Sequence, residues 1–485
     1  MRRTRYIAIL LAVLMTASSC GGGTSTDTTT STSSADTTSA DTAEKYPYES
    51  ADFGGYEFTF LNLDVCDWAN QMLVPEESTG ELLNDAIFER NMKVEEALNI
   101  TIRELTGSVD SLASLVKTAV TAGDPTYDVA MTQIHDLGGL LSDGYFVDLA
   151  EISTINLDEP WWDQTIVEAA TIKDHCYFAT SDITFHPFEA TWVMYFHKEK
   201  FEKLGLEDPY QVVRDGKWTM DKLTEYVSQS ANLNGQETFK FDQTNGTAEY
   251  GVVSHNLFME GLILCFGENL LDESGDMPVF VEANERLVTA FEKITALTKP
   301  DGYYLDRDSD GIQGGADRIS VEFKKGRTLF MSETLGHIAN LRDGSFDFGI
   351  LPMPKLDEKQ ENYISLTGSW GTLMTTIPKS CSDPERAGKV LDMMAYESSI
   401  SLIEPYYDTW LTQKGVRDEE SAEMLQIIQD TRTINIGKMF GWTTSLTNSS
   451  LIVLLAMGNP DVTSKMAAQK DSINAAIAKT YEAFE

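Results

Sequence analysis

Along this chain the apolar residues change period repeatedly, from every second residue to every third or fourth and back, and that alternation restricts the fold more than any other feature. From Tyr56 to Leu61, Tyr56, Phe58 and Phe60 alternate with Glu57 and Thr59, which predicts a strand with one buried face. Ser78-Thr79-Gly80-Glu81 reads as a capping box, opening a helix whose Leu83, Ile87, Val94 and Leu98 share one side. A short β-like run, Ile100 to Leu105, follows. The next helix is expected from about Val109 to Ala122, striped by Leu112, Leu115, Val116, Ala119 and Val120 and stopped by Gly123 and Pro125. Tyr127 to Met131 is a further apolar strand. Strands and helices in this order predict an α/β layer around a mostly parallel sheet.

A second such pattern begins near Thr191, with Trp192 to Phe196 as strand, Lys198 to Leu204 as helix, and a helix capped by Thr219 that carries Leu223 and Val227. Phe346 to Met353 reads as a strand. Asp383-Pro384-Glu385 opens a helix with Ala387, Val390, Leu391 and Met394 inward, and a last helix from about Ser472 to Phe484 packs Ile473, Ile477 and Phe484. About 440 residues follow residue 45, too many for one ordinary core, so two lobes are expected. No internal repeat is visible, and no segment after residue 45 is long and apolar enough to cross a membrane.

The N-terminus reads as an export signal over residues 1–19: basic Arg2, Arg3 and Arg5, an apolar run from Tyr6 to Met15 too short to span a bilayer, then Thr16-Ala17-Ser18-Ser19-Cys20. The last stretch resembles the lipobox of bacterial lipoproteins, with Ala17 where Leu is usual, and implies lipidation of Cys20, which would anchor the chain to a membrane surface. Residues 20–45, rich in Ser, Thr and Asp, are expected to be a disordered tether. A formal charge of −39 repels phosphate backbones, so nucleic acid is not an expected partner. Cys66, Cys176, Cys265 and Cys381 have no CxxC spacing, and both disulfides and buried free thiols remain open.

Several stretches resemble the extracellular solute-binding proteins of carbohydrate ABC importers, of the maltose-binding type. They are Tyr127-Asp128-Val129 with Asp148-Leu149; Met194 to Leu206 leading to Lys217-Trp218-Thr219; Phe323 to Phe330 with Gly326-Arg327; and Phe348 to Lys355. Their order spans nearly the whole body. His197 departs from the family, which usually has Asn there. The resemblance implies a type II periplasmic-binding-protein fold: two α/β lobes joined at a hinge, with an interlobe cleft. It places crossings near His186 to Thr191, Leu366 to Gly371 and around Gly415. Lobe one is then residues 46–188 with 371–415, and lobe two residues 189–370 with 416–485. It further implies a monomeric, non-enzymatic receptor on the outer face of the membrane, which binds a sugar and delivers it to ABC permease subunits without a required cofactor.

In such sheets ligands bind beyond the carboxyl ends of the strands. That edge carries Asp64, Asp67 and Trp68 after the first strand, His135 and Asp136 after Met131, and Ser332 and Glu333 after Thr328 to Met331. A sugar needs carboxylates for its hydroxyls and flat rings for its apolar faces, which adds Trp370 and Trp442. Each of these also reads as a solvated loop charge, a cap or ordinary packing; Tyr406, Tyr407 and Trp410 read as core. Asp306, Asp308, Asp310 and Asp317 stand at positions 1, 3, 5 and 12 of a loop with Gly311 at position 6, the spacing of a calcium loop. Asp replaces the usual final Glu and no flanking EF helices are evident, so an acidic turn is the competing reading. There is no Gly-x-Ser-x-Gly elbow, phosphate loop or HExxH, and the six histidines lack metal-ligand spacing. A lipid-anchored carbohydrate-active enzyme stays as the rival, because the many acidic residues include pairs a glycosidase could use. A receptor of the same fold for peptides or other solutes is the third reading.

Overall fold

The structure, a computed structural model, describes residues 46, 49–64, 73–255, 257–268, 270–281, 283–314, 318–341, 346–369, 372–407, 418–447 and 462–484. The expectations placed on residues 1–45 with Cys20, and on Cys66, Asp67, Trp68, Asp317, Trp370 and Trp410, lie outside them, as does the side chain of Tyr407.

Two sheets organise the fold. The first contains β1 (Tyr56–Leu63), β2 (Ile100–Gly107), β3 (Val129–Gln133) and, arriving late in the chain, β9 (Leu373–Thr376), in the order β9-β3-β1-β2. β1 runs parallel to β2 and β3, and β9 is antiparallel to β3. The second holds β4 (Trp192–His197), β5 (Tyr250–Ser254), β6 (Tyr304–Asp306), β7 (Thr328–Thr334) and β8 (Phe348–Leu351), in the order β8-β4-β7-β5-β6. β5 is parallel to β6 and β7, whereas β4 is antiparallel to both its neighbours. The amino end of β4 therefore shares an edge with the carboxyl ends of β5, β6 and β7.

Helices cover both sheets: α1 (Leu82–Leu98), α2 (Leu112–Ala122), α3 (Ile134–Ser142), α4 (Leu257–Cys265), α5 (Pro384–Ser401), α6 (Glu419–Asp430) and α7 (Lys470–Ala483) position the residues that matter below. α1 keeps its expected stripe, with Ile87, Val94 and Leu98 buried, but starts differently from the expected capping box. Glu81 occupies the cap without a side-chain bond, and Asp85 inside the first turn accepts instead from the amides of Thr79 at 2.8 Å and Gly80 at 3.2 Å. Asp85 thus folds the chain before the cap back onto the first turn, where its negative charge also suits the helix dipole. β1 also departs from a one-sided strand. Phe58, Phe60 and Leu61 are all fully buried, because β1 lies between β2 and β3 with helices on its flanks.

Segments on either side of β4 and β9 link the two sheets, and the crossing expected around Gly415 lies outside the described residues. Ala179 bridges Thr375 beside the first sheet, and Thr191, just before β4, bridges Thr367. Gly368 donates to Ala190 O at 2.8 Å and Leu335 to Thr191 O at 2.8 Å, so the two strands of the crossing are bonded to each other. From Thr367 the chain reaches Leu373, which pairs with Gln133, in six residues. Six residues span at most about 20 Å, which limits the distance between Thr367 and Leu373. Residues after 416 divide. α6 packs on β8, whereas Ile436–Met439 and α7 pack on α3, and α7 also meets the hairpin of Leu271–Asp272 and Val279–Phe280. The C-terminal stretch thus straddles both sheets.

Candidate functional site

At the edge of the second sheet, β7 ends by presenting Glu333, 4% exposed, to two imidazoles. Glu333 Oε2 lies 3.1 Å from His255 Nε2, and Oε1 accepts from the Thr334 amide at 3.0 Å, with His337 Nδ1 at 3.6 Å. Burial pushes this carboxyl up, but His337, His255 and the Thr334 amide together outweigh burial and hold it at about 2. Glu333 is accordingly an ionised acceptor at neutral pH. His255 is there because β5 ends at Ser254, one residue earlier. Trp192 opens β4 on the same edge, its ring centroid 5.4 Å from that of His255.

The two glycines against Trp192 explain its placement. A Cβ on Gly261 of α4 would stand 3.5 Å from the indole, and one on Gly368 of the crossing 3.2 Å from its Nε1. Next to Gly261, Glu260 is buried and paired with Lys438, and burial, opposed by Lys438, raises its carboxyl. Lys438 belongs to the Ile436–Met439 turn that packs on α3, and its charge reaches His135.

From the first sheet, β3 runs directly into α3, whose first turn carries His135 and Asp136, the two 3.7 Å apart and half-buried. Burial lowers His135, with Asp136 opposing and Lys438 adding to the effect. Burial raises Asp136, with His135 and Lys117 opposing. Polar and aromatic groups thus stand along both edges: Asp136 and His135 on the first, within the field of Lys438, which pairs with Glu260, and Trp192, His255 and Glu333 on the second. Arg432, on the short strand paired with Ser365–Leu366, forms an ion pair with Asp163, which also caps Gln164–Ala170 on the first-sheet side.

His135 and Asp136 lie at the edge of the first sheet and Glu333 at the edge of the second, whereas the other expected residues are placed differently. Asp64 follows β1 on the exposed surface, its amide donating to Gly107 O at 2.9 Å. Trp442 is buried, stacked on Phe440 at 4.8 Å, and its indole N–H is spent on Thr480 Oγ1 at 2.8 Å. Ser332 points inward and donates to Val193 O at 3.2 Å. Tyr406 stacks on Phe185 at 3.8 Å and donates to Glu189 Oε1 at 3.3 Å. Trp192, His255, Glu260, His337 and Lys438 were not expected from the sequence. The strand-end rule applied to β5 would have found His255.

In the acidic loop, Asp306 Oδ1 accepts from the amides of Asp308 at 2.8 Å and Ser309 at 3.3 Å, and Asp310 Oδ2 from the amide of Asp306 at 2.9 Å. Asp308 is held by Arg318 at 2.9 Å and Arg307 at 3.3 Å. These three carboxylates are thus occupied with closing the turn and with guanidinium groups. Cys176, Cys265 and Cys381 are free, buried thiols, pushed up by burial to about 12, 12 and 11. His197 is buried against Phe346, ring centroids 5.0 Å apart, with Nδ1 unpartnered.

Residues 90–400 match the family model described as bacterial extracellular solute-binding protein. Among solved structures, the chain is similar to an ABC substrate-binding protein of Listeria monocytogenes in complex with cycloalternan, with a TM-score of 0.58 and 14% identity over 87% of this chain and 99% of that one. It is also similar to the galacto-N-biose-/lacto-N-biose I-binding protein of the Bifidobacterium longum ABC transporter, at TM-score 0.58 and 11% identity over 89% and 99% of the two chains. RafE from Streptococcus pneumoniae in its apo form gives TM-score 0.53 and 15% identity over 88% and 98%. No curated protein sequence matches. At these identities the likeness shows the fold, which is the type II periplasmic-binding-protein arrangement of two α/β lobes.

Proposed function

The chain belongs to the bacterial extracellular solute-binding protein family, and we propose that it captures a carbohydrate, an oligosaccharide in particular, between its two sheet edges and delivers it to the permease subunits of an ABC importer. The observation that carries this reading is the make-up of the two edges. His135 and Asp136 follow β3 on one edge, Glu333, His255 and Trp192 stand on the other, and the chain between Thr367, bridged to Thr191, and Leu373, paired with Gln133, can span at most about 20 Å. Ionised carboxylate, imidazole and indole are the groups that hydroxyl edges and apolar sugar faces require. The sugars bound by the neighbouring structures from Listeria and Bifidobacterium support the same ligand class. An open form offers two half-sites. A ligand touching both gains contacts that only the closed form has, and hinge closure follows. We place the protein at the outer face of the membrane, held by lipid on Cys20 and acting as a monomer, with no catalytic step of its own.

The test is a melting screen of the purified protein against an oligosaccharide library, with each glycan analysed afterwards. Saturable stabilisation by a sugar recovered intact is expected. Hydrolysed product would replace the receptor reading with the enzyme reading, and stabilisation by peptides alone would move the ligand class.

A further inference from the structure

Asp148, Glu151 and His175 contribute nothing to the two edges, yet each turns one ligand atom toward the others, all within 4.8 Å. The backbone builds this convergence. Asp148 caps the short 3-10 turn Leu149–Glu151, accepting from the Ala150 amide at 3.0 Å. Asp148 as the cap and Glu151 as the last residue of the turn present their carboxylates close to each other. His175 closes a tight hairpin in which Ile172 and His175 exchange two backbone bonds of 3.0 Å. Leu149 donates to Cys176 O at 2.7 Å and Cys176 to Asp148 Oδ1 at 2.9 Å, so the two segments are laced together. Tyr177 and Phe484 flank the His175 ring, each with centroids at 6.4 Å, and His175 Nδ1 lies 2.5 Å from Asp148 Oδ2. Asp148 is 6% exposed, and among the described residues neither carboxylate has a Lys or Arg partner.

We propose that Asp148, Glu151 and His175 form a binding site for a divalent first-row transition cation of the zinc class. One imidazole nitrogen with two carboxylate oxygens is a borderline donor set that suits zinc, whereas calcium and magnesium prefer oxygen donors throughout. A cation here replaces the hydrogen bond between His175 and Asp148 with ligation of both side chains. It also staples the turn at 148–151 to the hairpin that leads toward the first crossing. Three protein donors leave a further position for water.

The mature protein, stripped with a chelator and titrated with zinc chloride, is expected to bind one equivalent and to melt at a higher temperature when loaded. Glu151→Gln and His175→Ala are each expected to weaken binding at least roughly tenfold and to abolish the melting shift. Glu151 is exposed, so its variant reports on binding with the fold intact. Calcium at equal concentration is expected not to compete. Wild-type zinc affinity in both variants, displacement by calcium, or loss of the site only in His255→Ala would each overturn the assignment.

Discussion

Glu333 is the residue on which the second edge depends most, because it is buried with two imidazoles and, among the described residues, no Lys or Arg in contact. Replacing it by Gln removes the carboxylate that bonds His255 and the Thr334 amide, and losing hydrogen bonds to a buried charged group costs on the order of 3 kcal/mol. Urea unfolding of Glu333→Gln at pH 7 checks this. A second residue-scale consequence concerns acid. Burial pushes His186 down to about 4, and burial together with Lys200, against Glu249, does the same to His197. A histidine depressed below its ordinary 6.5 is favoured neutral in the fold, so its stabilising effect is complete above 6.5 and is lost as pH falls from 6.5 toward 4. Each group is worth roughly 3 kcal/mol when fully titrated. Glu333, held at about 2, adds a loss of the same sign between 4.5 and 2. Stability measured by denaturant at pH 7 and at pH 4.5 is expected to drop, and His186→Phe is expected to make the drop smaller.

At the scale of elements, α3 is fastened to the C-terminal stretch through Gly138, where a Cβ would come 2.2 Å from Phe440 O. Backbone cannot move aside as a flexible side chain does, so Gly138→Ala is expected to cost about 1–3 kcal/mol and to loosen 436–447 from α3, measurable as faster amide exchange there. The elements legible in the sequence were those with one polar side, such as α1 and α2, or with an end signal, such as Thr219 and Pro384. α4 escaped because it is buried all round from Phe258 to Cys265 and so has no period to read. β5 escaped because Gly251 interrupts it; that glycine is required, since a Cβ would meet Val227 Cγ1 at 2.1 Å. With β5 went His255. Trp442, by contrast, was visible as a ring beside polar residues, but a sequence does not reveal that Thr480, on another helix, takes its N–H.

The molecule as a whole is two sheets whose binding edges are joined by bonded crossing strands, the geometry a hinged receptor needs. Closure on a sugar predicts a smaller radius of gyration in solution scattering when ligand is saturating; an unchanged radius would argue against hinge closure. The fold was legible because the order of the stretches from Tyr127-Asp128-Val129 to Phe348–Lys355 spans nearly the whole body, although each stretch alone says little. The site was legible only in part, because its members come from elements far apart in sequence. The most direct measurement is titration calorimetry of the preferred oligosaccharide against the native protein, His135→Ala and Glu333→Ala. The account predicts that each substitution, one on either edge, weakens binding roughly tenfold or more. Native affinity in either variant would contradict a ligand held between the two edges.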